Sequence, residues 1–435
     1  MKMESYDIII AGAGPAGLTA AVELSKEFKV LLIEKHKPGT TNATWYSYAD
    51  RAKEYGLDDA VAVRTDYIKF TSPSETHFMR DDCVIFDHNK VMEIWLNRAR
   101  TNGVEIRQED FLDYQNVENG IVVKTNKGKY SAPLLIDAMG INSIIVQKNG
   151  LIKRKDAWVI YGARVRNVDF EKPQQLEYYP LNDDANTYVG IHPVSNTETN
   201  FYLFKGEKNT LGNPEELKEK FEEVLKKTQP NAEKLETLSG TIVSGSLKKY
   251  ALDNIIFFGS SGMLNPDGCG MGFNEILKKH RIFSAAISKA MKGNRLDQKN
   301  LEKVAEKLRD QEVIHFQKII GAFSLYFIKS TSKWDGGVKW LNAMGDDSKN
   351  WMRNEMDLKW LKKANIRLHS SIPITETVKM IPLDELPFIM GQLVRFTHKA
   401  LLSKIKEGVK LPSEVLKVLP GLPGLPGLKS RETDE

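Results

Sequence analysis

The residues with the most evident chemical purpose are the glycines that follow the first apolar run of the chain. Ile8, Ile9 and Ile10 contain no turn residue, and such a run predicts a buried parallel strand. A glycine-rich turn follows at once and consists of Gly12, Ala13, Gly14, Pro15, Ala16 and Gly17. In this pattern the first glycine permits a tight turn, the second lets the backbone approach a pyrophosphate, and the third lets the next helix pack closely. The turn therefore predicts a phosphate site at a helix N-terminus.

An acidic residue closes the next apolar run and narrows the choice of nucleotide. Glu34 ends the run at residues 30–33 and lies 17 positions after Gly17. A carboxylate near this spacing binds the ribose hydroxyls of a dinucleotide, and its neighbour Lys35 is included among the predicted contacts. The negative charge disfavours NADP, because a 2′-phosphate would meet a like charge. The pattern predicts FAD or NAD, with an unrelated glycine-rich turn as the alternative.

Two later turns repeat the combination of a buried strand and glycines. The apolar run at residues 134–136 is followed by Asp137, Ala138, Met139 and Gly140. The run at residues 254–258 leads into a stretch with five glycines, which lets the backbone lie against a flat ligand. A helix that begins after this stretch would stabilise negative charge on a reduced flavin. The predicted cofactor contacts in these turns are Gly140, Gly259, Ser260, Ser261, Gly262, Pro266, Gly270, Met271 and Gly272.

Composition limits the class of protein. The chain has 435 residues, enough for two or three domains, and its hydrophobic (41%) and charged (27%) fractions are ordinary for a globular protein. A net charge of +5 is too weak to indicate nucleic-acid binding. Cys83 and Cys269 have no metal-ligand spacing, so we expect no metal site and a reducing, cytoplasmic environment. The sequence shows no signal peptide, and no apolar run reaches the roughly 20 residues that span a bilayer.

The rest of the chain divides into a β-rich middle and a helical end. The middle predicts a separate antiparallel sheet, which is expected to cover a substrate pocket, with strands at residues 158–165, 176–179, 188–192, 201–204 and 238–243. Trp45, Tyr46 and Tyr48 predict a short helical patch, and Trp45 is a predicted wall of the ring pocket. Residues 387–406 are amphipathic, which predicts docking onto the body of the protein, with contact to a membrane surface as the alternative.

Three segments in order resemble one family. They are GAGPAG with Glu34, the strand that ends in DAMG, and the stretch FGSSGMLNPDGCGMGFN. Over residues 5–295 this order resembles the flavin-dependent superfamily of geranylgeranyl reductases, lycopene cyclases and aromatic-ring hydroxylases. The resemblance implies an α/β fold with FAD as cofactor, in which a Rossmann-like, glutathione-reductase-like FAD-binding domain carries an inserted antiparallel sheet and a C-terminal helical region.

The resemblance also implies domain boundaries. The FAD-binding domain takes residues 1–66, 84–150 and 251–295, and the antiparallel-sheet substrate domain takes 67–83 and 151–250. The helical region takes 296–418. Residues 419–435 contain a short Pro-Gly-Leu repeat and a charged end, which predict a flexible tail.

The stretch from Tyr188 to Pro193 looks most like geranylgeranyl reductases, which carry a Tyr-x-Trp-x-Phe-Pro motif lining an isoprenoid tunnel. Gly190 and His192 replace the two aromatic residues of that motif. The predicted substrate pocket therefore contains Trp45, Tyr188 and His192. Lycopene cyclases carry paired glutamates on the sheet, but residues 201–204 read FYLF. In most of the superfamily an acid holds the ribityl chain, and Gly259 stands in its place.

These features favour an FAD-dependent reductase of the double bonds of an isoprenoid lipid. Its substrate would be hydrophobic, and its electron donor would be NAD(P)H or a ferredoxin-like protein. His192 is the candidate proton source, because an imidazole titrates near neutrality; no other catalytic residue is predicted. The alternatives are a flavin monooxygenase or halogenase-like enzyme, a cyclase-like enzyme without net redox change, and a flavin- or lipid-binding module without turnover.

Overall fold

Three β-sheets and a group of C-terminal helices make up the part of the chain that the structure describes. The computed structural model describes residues 3–41, 43–168, 175–181, 186–309, 314–373, 375 and 383–395. Their strands are β1 (Glu4–Ser5), β2 (Ile8–Ala11), β3 (Val30–Glu34), β4 (Tyr46–Tyr48), β5 (Val61–Thr71), β6 (Thr76–Phe86), β7 (Glu105–Gln108), β8 (Phe111–Val117), β9 (Gly120–Thr125), β10 (Lys129–Ala132), β11 (Leu134–Asp137), β12 (Ile152–Arg166), β13 (Leu176–Pro180), β14 (Thr187–Pro193), β15 (Glu198–Lys208), β16 (Glu233–Leu247), β17 (Ala251–Leu252) and β18 (Ile255–Phe257).

Helices cover one face of the parallel sheet, α5 packs on the antiparallel sheet described below, and a further group follows in the C-terminal part of the chain. They are α1 (Pro15–Leu24), α2 (Ala49–Glu54), α3 (His88–Thr101), α4 (Ile144–Lys148), α5 (Lys218–Thr228), α6 (Gly272–Lys292), α7 (Gln298–Glu306), α8 (Ile314–Phe327), α9 (Thr331–Met344), α10 (Ser348–Met352), α11 (Leu358–Ser371) and α12 (386–395).

The first sheet has the strand order β17-β18-β11-β2-β3-β7, and every pair except β17 with β18 is parallel. Its strands are apolar on both faces because both faces are covered. Ile8 and Ile10 pack toward α1, α3 and α6, whereas Ile9 faces the layer formed by the small sheet β1-β10-β9-β8. The buried parallel strands predicted from the three glycine-bearing segments are thus neighbours in one sheet.

The second large sheet has the order β16-β12-β15-β14-β13-β5-β6-β4 and is antiparallel except where β13 pairs with β5. All five predicted middle strands are present in it and are longer than predicted. Residues 61–66 and 84–86, assigned above to the FAD-binding domain, are strand residues of this sheet, because β5 and β6 pair with each other as far as Val61 and Phe86. The helical patch predicted to open at Trp45 starts later than predicted: Tyr46–Tyr48 form β4, paired with β6, and the helix α2 covers only Ala49–Glu54.

The C-terminal helices α8, α9, α10 and α11 pack against one face of the antiparallel sheet and against each other. The apolar residues 319–327 form most of α8. Within the described ranges, no helix combines the length and apolar character needed to cross a bilayer. The predicted tail at 419–435 and the part of the amphipathic segment beyond residue 395 lie outside the described residues.

Candidate active site

The three glycine-bearing turns meet at one edge of the parallel sheet. They follow β2, β11 and β18, which are adjacent, and the carboxyl ends of adjacent parallel strands lie at the same edge. Gly12 has a φ of +101°, and a Cβ placed on it would lie 2.4 Å from the carbonyl oxygen of Ala138. A Cβ on Gly17 would lie 1.8 Å from the carbonyl oxygen of Gly12. Gly12 is therefore required for backbone contact between the first two turns, and Gly17 for close packing within the first turn.

Two of the predicted cofactor contacts shape the third turn, and one of them also holds it against the second. The Ser261 hydroxyl donates to the Asp137 carbonyl at 2.6 Å and to the Phe258 carbonyl at 2.9 Å. A Cβ on Gly262 would lie 2.7 Å from the Phe257 carbonyl oxygen. These contacts give Ser261 and Gly262 a structural role in the turn, whereas Ser260 lines the large cavity described below.

Asp137 fixes the second turn from inside. Its buried carboxylate accepts a hydrogen bond from the Met139 N–H at 3.0 Å and another from the Ser143 hydroxyl. Burial raises the pKa of Asp137 to about 6, and these hydrogen bonds oppose the rise. Gly140 follows with a φ of +73°, and a Cβ placed on it would meet nothing within 4 Å. The turn therefore leaves open space beside Gly140.

Gly259 occupies the position of the acid expected from the resemblance, and the local backbone accounts for its identity. Its φ is +75°, and a Cβ on it would lie 2.6 Å from the Cβ of Ala16 in α1. A residue with a side chain would be strained in this conformation and would push against α1. Where the acid is absent, the third turn thus lies close to the first glycine motif.

The first turn and Glu34 fit the pyrophosphate and ribose of a dinucleotide. A Cβ on Gly14 would meet nothing within 4 Å, and α1 starts at Pro15 without a side-chain cap on its free N–H groups. The Glu34 carboxylate accepts from the Ala13 N–H at 2.7 Å and from the His36 N–H at 2.9 Å, so it turns back toward the glycines. Lys35 is exposed beside it. Such a nucleotide requires open space and free N–H donors for its pyrophosphate and an oriented carboxylate to accept from its ribose hydroxyls, and all three are present here.

The third turn supplies free polar groups farther along the same site. Both side-chain amide atoms of Asn265 are buried and have no hydrogen-bond partner among the described residues. Pro266 follows it, and the chain passes through Gly270, with a φ of +69°, before α6 begins at Gly272 without a side-chain cap. A buried amide without a partner is costly unless a ligand satisfies it. Asn265 and the N-terminus of α6 therefore fit the polar edge of a flavin ring.

A cavity of about 710 Å³ extends from these turns between the antiparallel sheet and the C-terminal helices. Among the described residues that line it there is no Asp, Glu, Lys or Arg. The turns contribute Pro15, Ser260, Asn265, Gly270, Met271 and Gly272; the sheet contributes Trp158, Ile160, Tyr178, Tyr188, His192, Tyr202 and Phe204; and the helices contribute Phe316, Ile320, Phe323, Trp334, Val338 and Trp351. A cavity of this size and lining accepts a large apolar molecule.

The predicted pocket residues Trp45, Tyr188 and His192 all line this cavity. Trp45 stacks on Phe273 with ring centroids 4.7 Å apart and planes 8° from parallel. Tyr188 stacks on Phe204 in the same way, at 4.9 Å and 7°. The structure therefore brings the flavin-side wall and the sheet-side wall predicted from the sequence into one space.

The chemistry expected of His192 changes with its surroundings. Its ring lies among aromatic side chains, and burial lowers its pKa to about 3. The expectation that this imidazole titrates near neutrality is therefore wrong, because the buried site disfavours the charged form. His192 instead makes a hydrogen bond through Nε2 to the Tyr178 hydroxyl at 2.9 Å.

Sequence reasoning did not select Tyr178, Tyr202 and Asn265. Tyr202 bonds Thr44 through their hydroxyls at 2.6 Å and so joins the loop before β4 to the sheet. Tyr178 lies on the same face of its strand as Leu176, two positions earlier, and both are buried in one cluster. That period of two was the available signal, but it does not tell which sheet face carries the cavity. Cys269 also lines the cavity, and burial raises the pKa of its thiol to about 12.

Comparisons with known proteins agree with this geometry. Residues 9–144 match the family described as pyridine nucleotide-disulphide oxidoreductase. The chain is 25% identical over 289 residues to a digeranylgeranylglycerophospholipid reductase from Methanococcus vannielii, covering 60% of this chain and 72% of that protein. It is also 24% identical over 358 residues to a 1H-pyrrole-2-carbonyl-(peptidyl-carrier protein) chlorinase from Pseudomonas fluorescens, covering 68% and 78%. This chain is an FAD-dependent oxidoreductase.

A solved structure shows that the fold is shared. A geranylgeranyl bacteriochlorophyll reductase-like protein from Thermoplasma acidophilum matches with a TM-score of 0.70 at 16% identity, over 87% of this chain and 100% of that one. The predicted α/β fold class, the FAD cofactor and the resemblance to geranylgeranyl reductases and their relatives are confirmed. The roles of the individual site residues stay predictions. Within the described part of the chain, no group of three or more His, Cys, Asp or Glu side chains is placed to hold a metal ion.

Proposed function

We propose that this FAD-dependent oxidoreductase saturates double bonds of an isoprenoid lipid. The observation that carries the proposal is the cavity of about 710 Å³ beside the flavin turns, whose described lining contains aromatic and aliphatic side chains and no charged residue. A prenyl chain is long and apolar and would bury its surface in such a space. The similarity to a digeranylgeranylglycerophospholipid reductase supports the same substrate class.

Bound flavin, once reduced, would supply hydride to one carbon of a double bond. The chain would hold the nucleotide through the turns at Gly14, Glu34 and Gly140, and Asn265 with the start of α6 would fix the ring beside the cavity. The tryptophans and phenylalanines around the cavity would exclude water and orient the lipid, which is the protein's part in this chemistry. His192 and Tyr188 would line the path of the substrate on the sheet side.

The direct test offers chemically reduced holoenzyme a panel of prenyl lipids without oxygen and measures product mass. We expect a gain of two hydrogen atoms for each double bond that is saturated, together with reoxidation of the flavin absorbance. Unchanged lipids across prenyl alcohols, prenyl diphosphates and prenyl glycerolipids would contradict the proposal. Repeating the assay with NADPH or with reduced ferredoxin in place of the chemical reductant identifies the electron donor.

A flavin monooxygenase or halogenase-like enzyme is the second candidate, and the similarity to the Pseudomonas fluorescens chlorinase favours it. The same protein would then couple NAD(P)H oxidation to oxygen uptake, and an aromatic substrate would gain oxygen or halogen. A cyclase-like reaction would leave the product mass unchanged. The absence of Asp and Glu from the described cavity lining speaks against a carboxylate pair in that role.

We further propose a cytoplasmic protein that contacts a membrane surface through α12. Phe388 and Ile389 pack this helix on α8, which lines the cavity, while Leu386, Met390 and Val394 are 37%, 51% and 44% exposed. An apolar helix face beside a lipid-sized cavity suits collection of a lipid from a bilayer. Met390→Glu should weaken co-sedimentation with phosphatidylglycerol vesicles, whereas Phe78→Glu, at an equally exposed position on β6, should not. Equal binding by both variants would contradict the contact.

A further inference from the structure

The apolar cavity contains a hydrogen-bonded pair of side chains on adjacent strands of its sheet wall. The Tyr178 hydroxyl of β13 and Nε2 of His192 in β14 lie 2.9 Å apart, and both residues line the cavity. The two side chains are only 7% and 8% exposed. Burying such groups costs free energy even when they bond to each other. We therefore infer that the two polar groups serve a chemical role in this lipid-sized cavity.

The surroundings of His192 keep its imidazole neutral. Its ring contacts those of Tyr46 and Tyr202 with centroids 5.6 Å and 5.2 Å away, and no Asp or Glu lines the cavity in the described residues. A neutral imidazole has one N–H donor and one acceptor nitrogen. The Tyr178 hydroxyl has two partners, the Tyr46 hydroxyl and Nε2 of His192. When Tyr178 donates to Nε2, Nδ1 carries the imidazole hydrogen, and the pair keeps this N–H, which neither bond uses.

Saturation of a double bond needs that hydrogen. The π bond breaks and two C–H bonds form: one carbon receives a hydride from reduced flavin, which is oxidised by two electrons, and the other carbon receives a proton. Negative charge develops on the second carbon as the hydride arrives, so a positioned weak acid accelerates the step. The donor is then reprotonated from water.

We propose that the Tyr178–His192 pair delivers the proton to the substrate carbon. This inference rests on the proposed lipid reductase activity. The paired geometry assigns the two residues separate parts: Tyr178 donates the hydrogen bond that fixes the tautomer of His192, and the Nδ1–H of that tautomer gives the proton to the lipid. Neither residue acts as a charged acid, which separates this arrangement from an imidazolium donor.

The test compares Tyr178→Phe with Tyr161→Phe. Tyr161 is a buried tyrosine of β12 that packs with Phe221 away from the cavity, so its variant controls for loss of a buried hydroxyl. In anaerobic stopped-flow experiments we expect Tyr178→Phe to slow lipid-driven flavin reoxidation by at least about 100-fold and Tyr161→Phe to change it less than about twofold. Reduction of the flavin by dithionite and the spectral shift on lipid binding should be unchanged in both.

Two further readouts separate proton delivery from a structural role. In D₂O the wild-type enzyme should place two deuterium atoms in each saturated bond, because the N5 hydrogen of the reduced flavin also exchanges with solvent, and the solvent isotope effect on reoxidation should change in Tyr178→Phe but not in Tyr161→Phe. In the oxidised holoenzyme with ¹⁵N-labelled histidine, the imidazole assigned to His192 should stay neutral at pH 5, and its signals should shift in Tyr178→Phe but not in Tyr161→Phe. If wild type saturates lipids but Tyr178→Phe changes neither the imidazole signals nor the reoxidation rate, this inference alone is overturned. A wild-type enzyme that saturates no lipid overturns the proposed function, and the pair's role in it as well.

Discussion

The flavin turns are built by backbone contacts, whereas the wall of the cavity is built by side chains. In the turns, close backbone contact does the work: Gly12, Gly17 and Gly259 are packed so tightly that an added Cβ would lie within 2.6 Å of a neighbouring atom. In the wall, side chains from distant strands and helices fill the space, as when Phe204 and Trp334 both contact Tyr188. The comparison shows that the cofactor region depends on short motifs, whereas the substrate region depends on how sheets and helices come together.

Each region also departs from the resembling family at one glycine, and the structure accounts for the two departures in different ways. Gly259 replaces an acid and lets the third turn press against Ala16. Gly190 replaces a tryptophan of the sheet motif, and the rings of Phe204 and Tyr178 occupy the space beside it, 2.4 Å and 3.1 Å from where its Cβ would lie. At Gly259 the departure concerns the path of the backbone. At Gly190 aromatic side chains of neighbouring strands fill the space beside the glycine.

Substitution within the first turn should have the largest effect. Gly17→Ala would place a Cβ 1.8 Å from the Gly12 carbonyl, so we expect a loss of more than about 3 kcal/mol of unfolding free energy and of bound FAD. Gly14→Ala meets open space and should change the stability of the flavin-free protein by less than about 0.5 kcal/mol. Its methyl group should still weaken FAD binding by at least about 100-fold, because it blocks approach of the pyrophosphate. Urea unfolding and flavin titration measure the two effects, and normal FAD affinity in Gly14→Ala would contradict the predicted phosphate position.

Restoring the missing acid should weaken the protein and not improve it. Gly259→Asp would put a side chain at a φ of +75°, which costs about 1–2 kcal/mol, and against Ala16. We expect lower thermal stability and lower FAD occupancy than in wild type, with partial recovery when Ala16→Gly is added. Ser260→Asp, at the next position and outside the positive-φ residues, is the matched control for the added charge and should keep its stability. Tighter FAD binding by Gly259→Asp would show that the turn relaxes and that the acid was simply lost.

The fold of the cofactor region was predictable because its signals are local. The apolar runs before Gly12, Asp137 and Gly259 each predict a buried strand. The glycines after them permit tight turns and close backbone contacts, a role that depends only on the local sequence. The resemblance then orders the three segments. Local reasoning missed the structural role of Ser261 in the third turn, because its hydrogen bond to the Asp137 carbonyl joins residues more than a hundred positions apart.

The cavity wall was less predictable for a physical reason. Strand period shows that Tyr178 and His192 alternate with residues of the other sheet face, but it does not show that α8 and α9 leave a space above them. The pKa expected of His192 was wrong because burial is a property of that assembled space. Trp45 lines the cavity, and its place beside the flavin ring stays a prediction. The start of the helix was predicted too early because aromatic residues such as Tyr46 and Tyr48 suit a strand as well as a helix.

Adding one methyl group at Gly190 should separate the two regions. The Cβ of Gly190→Ala would lie 2.4 Å from Phe204, so we expect about 1–3 kcal/mol of destabilisation by overpacking, with unchanged FAD content. Phe204→Leu in the same protein should return most of that loss by making room. Urea unfolding of the two single variants and the double variant gives the coupling between the positions. Additive effects would contradict the predicted clash between Gly190→Ala and Phe204, and loss of FAD in Gly190→Ala would mean that the wall and the turns are not independent.

The smallest predicted effect concerns the dependence of stability on pH. Folded His192 stays neutral with a pKa of about 3, whereas in the unfolded chain it binds a proton below about pH 6.5. Because the unfolded state then binds more protons, this residue lowers the unfolding free energy as the pH falls from 6.5 toward 3. Between pH 6.5 and 5.5 the wild type should lose about 1 kcal/mol more than His192→Asn, in which this group is absent. The other buried histidines among the described residues, His77, His88, His280 and His315, are present in both proteins and cancel in the difference. Equal losses in urea unfolding at the two pH values would show that His192 takes up its proton in the folded protein, and that the sheet wall is wetter than its lining indicates.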